Sequence, residues 1–241
     1  MLPRHDATGL GWEGGTGGRP ESEDLPVAAN RTPRGREASL KSRLLAVVLA
    51  ALVLVPAAGA ARVHVRVEGK TQTIFGATAP TLDAANALTA LDSASLAGEF
   101  FYHVQTTEFG PYIDQVGRFA AEGQTGWVFK VNGKSPPVGA DQVALRDGDT
   151  VLWYWAQFGV AGGPRTLVLE RAGRQANCYR VFSEDDNGVR TAAMGATLRV
   201  GSRRSVATQV AGQAAVGCVG KHKGLLVRAT LGGAVRSNAL T

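Results

Sequence analysis

The sequence predicts an α+β fold: one helix laid across a small mixed sheet, followed by a small all-β sandwich. Three observations predict it. Val63, Val65 and Val67 alternate with polar residues, and two aromatic runs, at 127–131 and 151–158, keep the same two-residue period. Helical spacing follows Pro80 alone. Beyond the Gly159–Pro164 stretch the chain offers only short strand-and-turn units. Charge marks the same boundary: residues 61–164 carry 7 Lys and Arg against 10 Asp and Glu, whereas 165–241 carry 12 against 4. The expected organisation is a disordered extension over 1–40, a signal peptide over 41–60, a first domain over 61–160, a linker over 161–164 and a β-sandwich over 165–241.

The N-terminal segments come first. Residues 1–40 are rich in Gly, Pro and charge and lack apolar periodicity, so they cannot bury a core. Arg34, Arg36, Lys41 and Arg43 form a basic region before the apolar run 44–55, and Pro56 precedes a run of small residues. That order fits export, with cleavage between Ala60 and Ala61; an uncleaved anchor is the other reading. The remainder would then be secreted or held at the extracytoplasmic surface. In an oxidising compartment the two cysteines, Cys178 and Cys218, are expected to form a disulfide.

In the first domain, 63–67 is a half-buried strand returning through Thr73–Phe75. Thr81 is the expected N-cap of a helix with Asp83 in its first turn, Leu88 and Leu91 on its apolar face and Gly98 at its end. Short strands are expected at 100–104 and 112–116, a short extended piece at Val143 and Leu145, and a last strand over 151–158. One helix on such a sheet is the β-grasp arrangement. The stretch GWVFKVNGKS at 126–135 ends like a phosphate-binding loop, but the first glycine of that motif would fall at 128, which is Val. Its interior is aromatic and β-branched, and Asn132-Gly133 suits a tight hairpin turn. A strand ending in a turn is the better reading, and nucleotide binding is set aside.

The series VHVRVEG, TLDAANALTALD, FGPYIDQVG, GWVFKVNGK and PVGADQVALRDGDTVLWYWAQFG over about 63–158 resembles the transcobalamin-like C-terminal domain, a bacterial family in a β-grasp ligand-binding superfamily similar to the β-domain of vitamin B12 carriers. The resemblance implies ligand binding without catalysis. The helical barrel that completes the carriers has no counterpart here. Residues 165–238 resemble immunoglobulin-like and carboxypeptidase-regulatory-like modules of bacterial surface proteins.

The aromatic strands supply the candidate ligand site. Trp127 and Phe129 share one strand face; Trp153 and Trp155 share one face of the next, with Leu152 and Tyr154 opposite. Both faces can be core, yet six aromatics on two strands exceed what a small core needs. The expectation is that Trp153 and Trp155 pack under the helix. Tyr154, Leu152 and neighbouring Lys130 would then stand on an open binding face, with Trp127, Trp153, Trp155 and Phe158 also candidates. A cobalamin-like molecule, a sugar or an anionic envelope component would be the partner. Nucleic acid is not expected, nor membrane contact beyond an uncleaved signal segment. No cofactor or metal motif is present: the histidines are scattered, and Asp141, Asp147 and Asp149 are turn formers lacking EF-hand spacing. Cys178 and His222 imitate a thiol–imidazole pair, but oxidation of Cys178 removes the nucleophile. The function expected is an exported, non-catalytic binding module; a structural or adhesive surface protein and an exported enzyme are the alternatives.

Overall fold

The computed structural model describes residues 59–241 apart from 109, 161, 174 and 208, and only the backbone of Gln209. The extension expected over 1–40, the basic and apolar regions of the expected signal peptide and position 58 lie outside the described residues. Ala60 immediately precedes the first strand and Ala61 begins it.

The first half contains β1 (Ala61–Glu68), β2 (Thr73–Phe75), β3 (Thr81–Ala84), α1 (Ala87–Gly98), β4 (Tyr102–Thr107), β5 (Gly110–Val116), β6 (Phe119–Ala120), β7 (Thr125–Val131) and β8 (Thr150–Gln157). Its main sheet runs β2-β1-β8-β7, with β3 also on β1; β1 and β8 are parallel and the other pairs antiparallel. Strands β4, β5 and β6 form a separate three-stranded sheet. The core lies between α1 and the main sheet, with Val63, Val65, Val67, Leu91, Trp127 and Trp153 buried together.

The second half contains β9 (Thr166–Arg171), β10 (Cys178–Glu184), β11 (Arg190–Ala192), β12 (Thr197–Val200), β13 (Arg203–Val206), β14 (Gln209–Ala211), β15 (Ala214–Cys218), β16 (Val227–Thr230) and β17 (Ala239–Leu240). Sheets β11-β10-β15-β14, with β9 on β10, and β13-β12-β16-β17 enclose Leu167, Leu169, Tyr179, Val181, Leu198 and Val227. Cys178 and Cys218 pair directly across β10 and β15 and are disulfide-bonded, with Cα atoms 4.0 Å apart.

Three expectations are corrected. The fold is not α+β as expected: about 50% of the described residues are strand and about 7% helix, in several sheets, so it is largely all-β. The helix is also shorter than its sequence suggests. Residues 81–84 are extended because they complete the edge of β1, pairing Ala61 with Ala84 through to His64 with Thr81. Asn86, not Thr81, caps α1: its side chain accepts from the Thr89 N–H at 2.8 Å, and the Thr89 hydroxyl receives the Asn86 N–H at 2.9 Å. Val143 and Leu145 form no strand; Ala144 makes one isolated bridge to Asn86.

Candidate functional site

The aromatic residues are placed by one hairpin. Asn132 and Gly133 both take positive φ, 51° and 81°, which turns β7 back towards β8 through the loop 132–149. A Cβ at Gly133 would also overlap the Glu184 carboxylate of the second half and force that side chain to shift, while the positive φ is what favours glycine there. The antiparallel register sets Trp127 opposite Trp155, Phe129 opposite Trp153, Val128 opposite Tyr154 and Lys130 opposite Leu152.

One face of this ribbon lies under α1 and the β4–β6 sheet. The Trp153 indole N–H donates to the Ala87 carbonyl at 2.9 Å, and that of Trp127 to the Phe119 carbonyl at 2.8 Å. Phe129 stacks on Trp153 with centroids 5.0 Å apart. Each buried indole thus has the polar partner its burial demands.

The opposite face is not open, and the expected binding surface there is corrected. Tyr154 is 1% exposed and packs with Ala156 and Val235, flanked by Val128 and Leu152. Burial raises its phenol well above the usual range. Lys130 is buried as well: its ammonium donates to the Asp185 carbonyl at 2.7 Å and the Thr166 hydroxyl at 3.2 Å, with Asp186 Oδ1 at 3.4 Å. Desolvation pulls its pKa down, and Asp186 opposes that shift. The second half therefore covers Tyr154, Leu152 and Lys130. Alternation defined the face, but its cover comes from residues too distant in sequence for a periodicity to report.

The same junction buries Glu68. Arg66 reaches it at 3.2 Å, Arg236 at 3.0 Å and Arg228 at 3.5 Å, while Arg66 also donates to the Arg236 carbonyl at 2.7 Å. Burial lowers the Arg66 pKa to about 10, against the pull of Glu68.

Accessible aromatic surface remains at the end of β8. Phe158 is 38% exposed and Trp155 half-buried, with the Lys70 ammonium 4.9 Å from the Trp155 ring centroid. A recess of about 480 Å³ is bordered by Lys70, Trp155, Gln157, Phe158, Pro164 and Arg236. A second, of about 330 Å³, is bordered by Tyr112, Trp127, Phe129, Tyr154, Phe158 and Asp186. Phe158 lines both. Lys70, Arg236 and Tyr112 carried no sequence signal for this role: they come from a turn, the far end of the chain and a separate sheet. Among the described residues, no group of three or more His, Cys, Asp and Glu is placed to hold a metal ion. His222 accepts or donates at 2.7 Å to the Tyr179 hydroxyl, and Cys178 is disulfide-bonded, so these two form no catalytic pair. No described helix is long and apolar enough to cross a membrane.

Comparison with known proteins agrees in part with the resemblance read from the sequence. Residues 84–157 match a family described as a domain of unknown function, DUF4430, which is transcobalamin-like. No curated protein matches the chain. Among solved structures, a protein from Ruminococcus gnavus described as a metal-binding candidate aligns with 21% identity and a TM-score of 0.32, over 41% of this chain and 99% of its own. The part of the chain similar to a known family is thus the stretch from the end of β3 to the end of β8, which carries the aromatic ribbon.

Proposed function

We propose that the protein is an exported, non-catalytic binding module that takes a small flat ligand in the recess of Trp155, Phe158 and Lys70. The observation carrying this reading is the exposure of Phe158 beside Trp155, where the neighbouring aromatics Trp127, Trp153 and Tyr154 are buried. An exposed aromatic wall beside the Lys70 ammonium favours planar ligands, and Lys70 favours those carrying an anionic or electron-rich group. The transcobalamin-like resemblance of the ribbon supports small-molecule binding, and cobalamin and sugars are the first classes to test. Export rests on the basic and apolar N-terminal regions and on the disulfide. In this reading 61–160 and 165–241 are two domains whose junction forms the recess.

Tryptophan fluorescence titration against cobalamin and a sugar panel tests it. A saturable change, lost in Phe158→Ala while the far-UV dichroism is kept, is expected. A panel without any response would favour the structural or adhesive reading; a response unaltered by Phe158→Ala would place binding elsewhere.

A further inference from the structure

Residues 187–241 contain eight Lys and Arg and neither an acidic nor an aromatic residue. The four carboxylates of the second half are engaged elsewhere. Glu170 holds Arg180 and Arg190, Glu184 faces Arg190, Asp186 faces Lys130, and Asp185 accepts the N–H groups of Asn187 and Val189 in its own turn. Arg228 and Arg236 are held by Glu68. Arg199, Arg203, Arg204, Lys221 and Lys223 remain, all exposed, with no carboxylate at ion-pair distance among the described residues.

The fold gathers these five. Val200 pairs with Arg203 on one side and with Val227 on the other, so the β12–β13 turn and the segment preceding β16 lie at the same end of the sheet. Arg203 donates to the Lys221 carbonyl at 2.8 Å, tying that turn to the loop 219–226. The loop is itself anchored, since buried His222 bonds the Tyr179 hydroxyl at 2.7 Å and the Gly220 carbonyl at 2.9 Å. Arg199 and Arg204 stand directly opposite each other across β12 and β13, where like charges oppose pairing. At the same end Leu225 and Leu226 are 48% and 43% exposed.

We infer that this end of the sandwich docks on an anionic lipid bilayer. The cations match an anionic surface, and each contributes about fivefold to partitioning at low ionic strength. The adjacent leucines decide between anionic partners: a soluble polyanion has no use for two exposed leucines, whereas a bilayer buries them. Residues 187–241 offer no aromatic side chain on which a base or sugar could stack. The surface is distinct from the Phe158 recess and does not depend on it.

The test is co-sedimentation of the full chain with phosphatidylcholine vesicles, with and without phosphatidylglycerol. The apolar run 44–55 can bind either vesicle, so the readout is the preference for the anionic one. That preference should be clear at low salt and weaken steeply as salt rises. Arg203→Gln with Arg204→Gln should reduce it at least about tenfold, and Leu225→Ser with Leu226→Ser about tenfold, with dichroism unchanged in both. Equal binding to both vesicles overturns the inference. So does a leucine variant that partitions like the parent, particularly if soluble polyphosphate binds the protein equally well.

Discussion

On one face of the β7–β8 ribbon, Trp127, Phe129 and Trp153 lie beneath α1 and the β4–β6 sheet, and each buried indole N–H meets a backbone carbonyl. On the other, Tyr154 and Leu152 lie against the second half beside Lys130, with the Glu68–arginine cluster at the same junction. The first cover is local, supplied by residues 87–120. The second is remote, supplied by residues 166–236, and it closes with buried charge as well as apolar contact. Apolar closure tolerates small shifts of its parts. Closure through buried charges requires every partner in place, because removing one leaves the others desolvated and unpaired. The difference also moves the candidate site: Phe158, at the end of β8, is the exposed aromatic beside the ribbon, with half-buried Trp155 next to it.

The largest effect is expected on the helix face. Trp153→Ala should cost about 3–5 kcal/mol in urea unfolding, as large-to-small core changes do. A cost near zero would mean that α1 does not close this face. On the charged face, Glu68→Gln keeps the shape but removes the charge that holds Arg66, Arg228 and Arg236. A loss of about 1.5–3 kcal/mol is expected; an unchanged midpoint would show that the cluster contributes nothing.

A smaller effect comes from Glu184, whose carboxyl is pushed above its ordinary range by burial, with Arg190 and Lys130 opposing. Its folded pKa therefore exceeds the unfolded one, and the folded state holds the proton more tightly. The resulting stability is fully present below the unfolded pKa and is lost as pH rises through the folded value. The parent should lose stability relative to Glu184→Gln across that window. A difference that does not vary with pH, or one of opposite slope, would refute the assignment.

Which parts of this were legible in the sequence follows from range. The two-residue alternation of 127–131 and 151–157 set the faces, and Asn132-Gly133 set the turn, because both are local properties of the chain. The disulfide followed from two cysteines and an inferred compartment. The start of α1 was not legible: Thr81 is a plausible cap, but pairing of 81–84 with β1 overrides it, and the effective signal was the Asn86–Thr89 capping box. Arg66 and Glu68 read as the solvated side of an alternating strand, yet both are buried because Arg228 and Arg236 arrive from about 160 residues away. Tyr154 was misplaced for the same reason.

The account turns on which aromatics of the ribbon are covered, and one paired experiment addresses it. Urea unfolding of Tyr154→Ala and Phe158→Ala in the same chain compares a residue sealed at the junction with one at the open recess. Tyr154→Ala is expected to cost about 3–5 kcal/mol as a core deletion, and Phe158→Ala to stay within about 1 kcal/mol as surface changes do. Equal costs, or a Tyr154→Ala variant as stable as its parent, would contradict the cover and return the binding face to Tyr154.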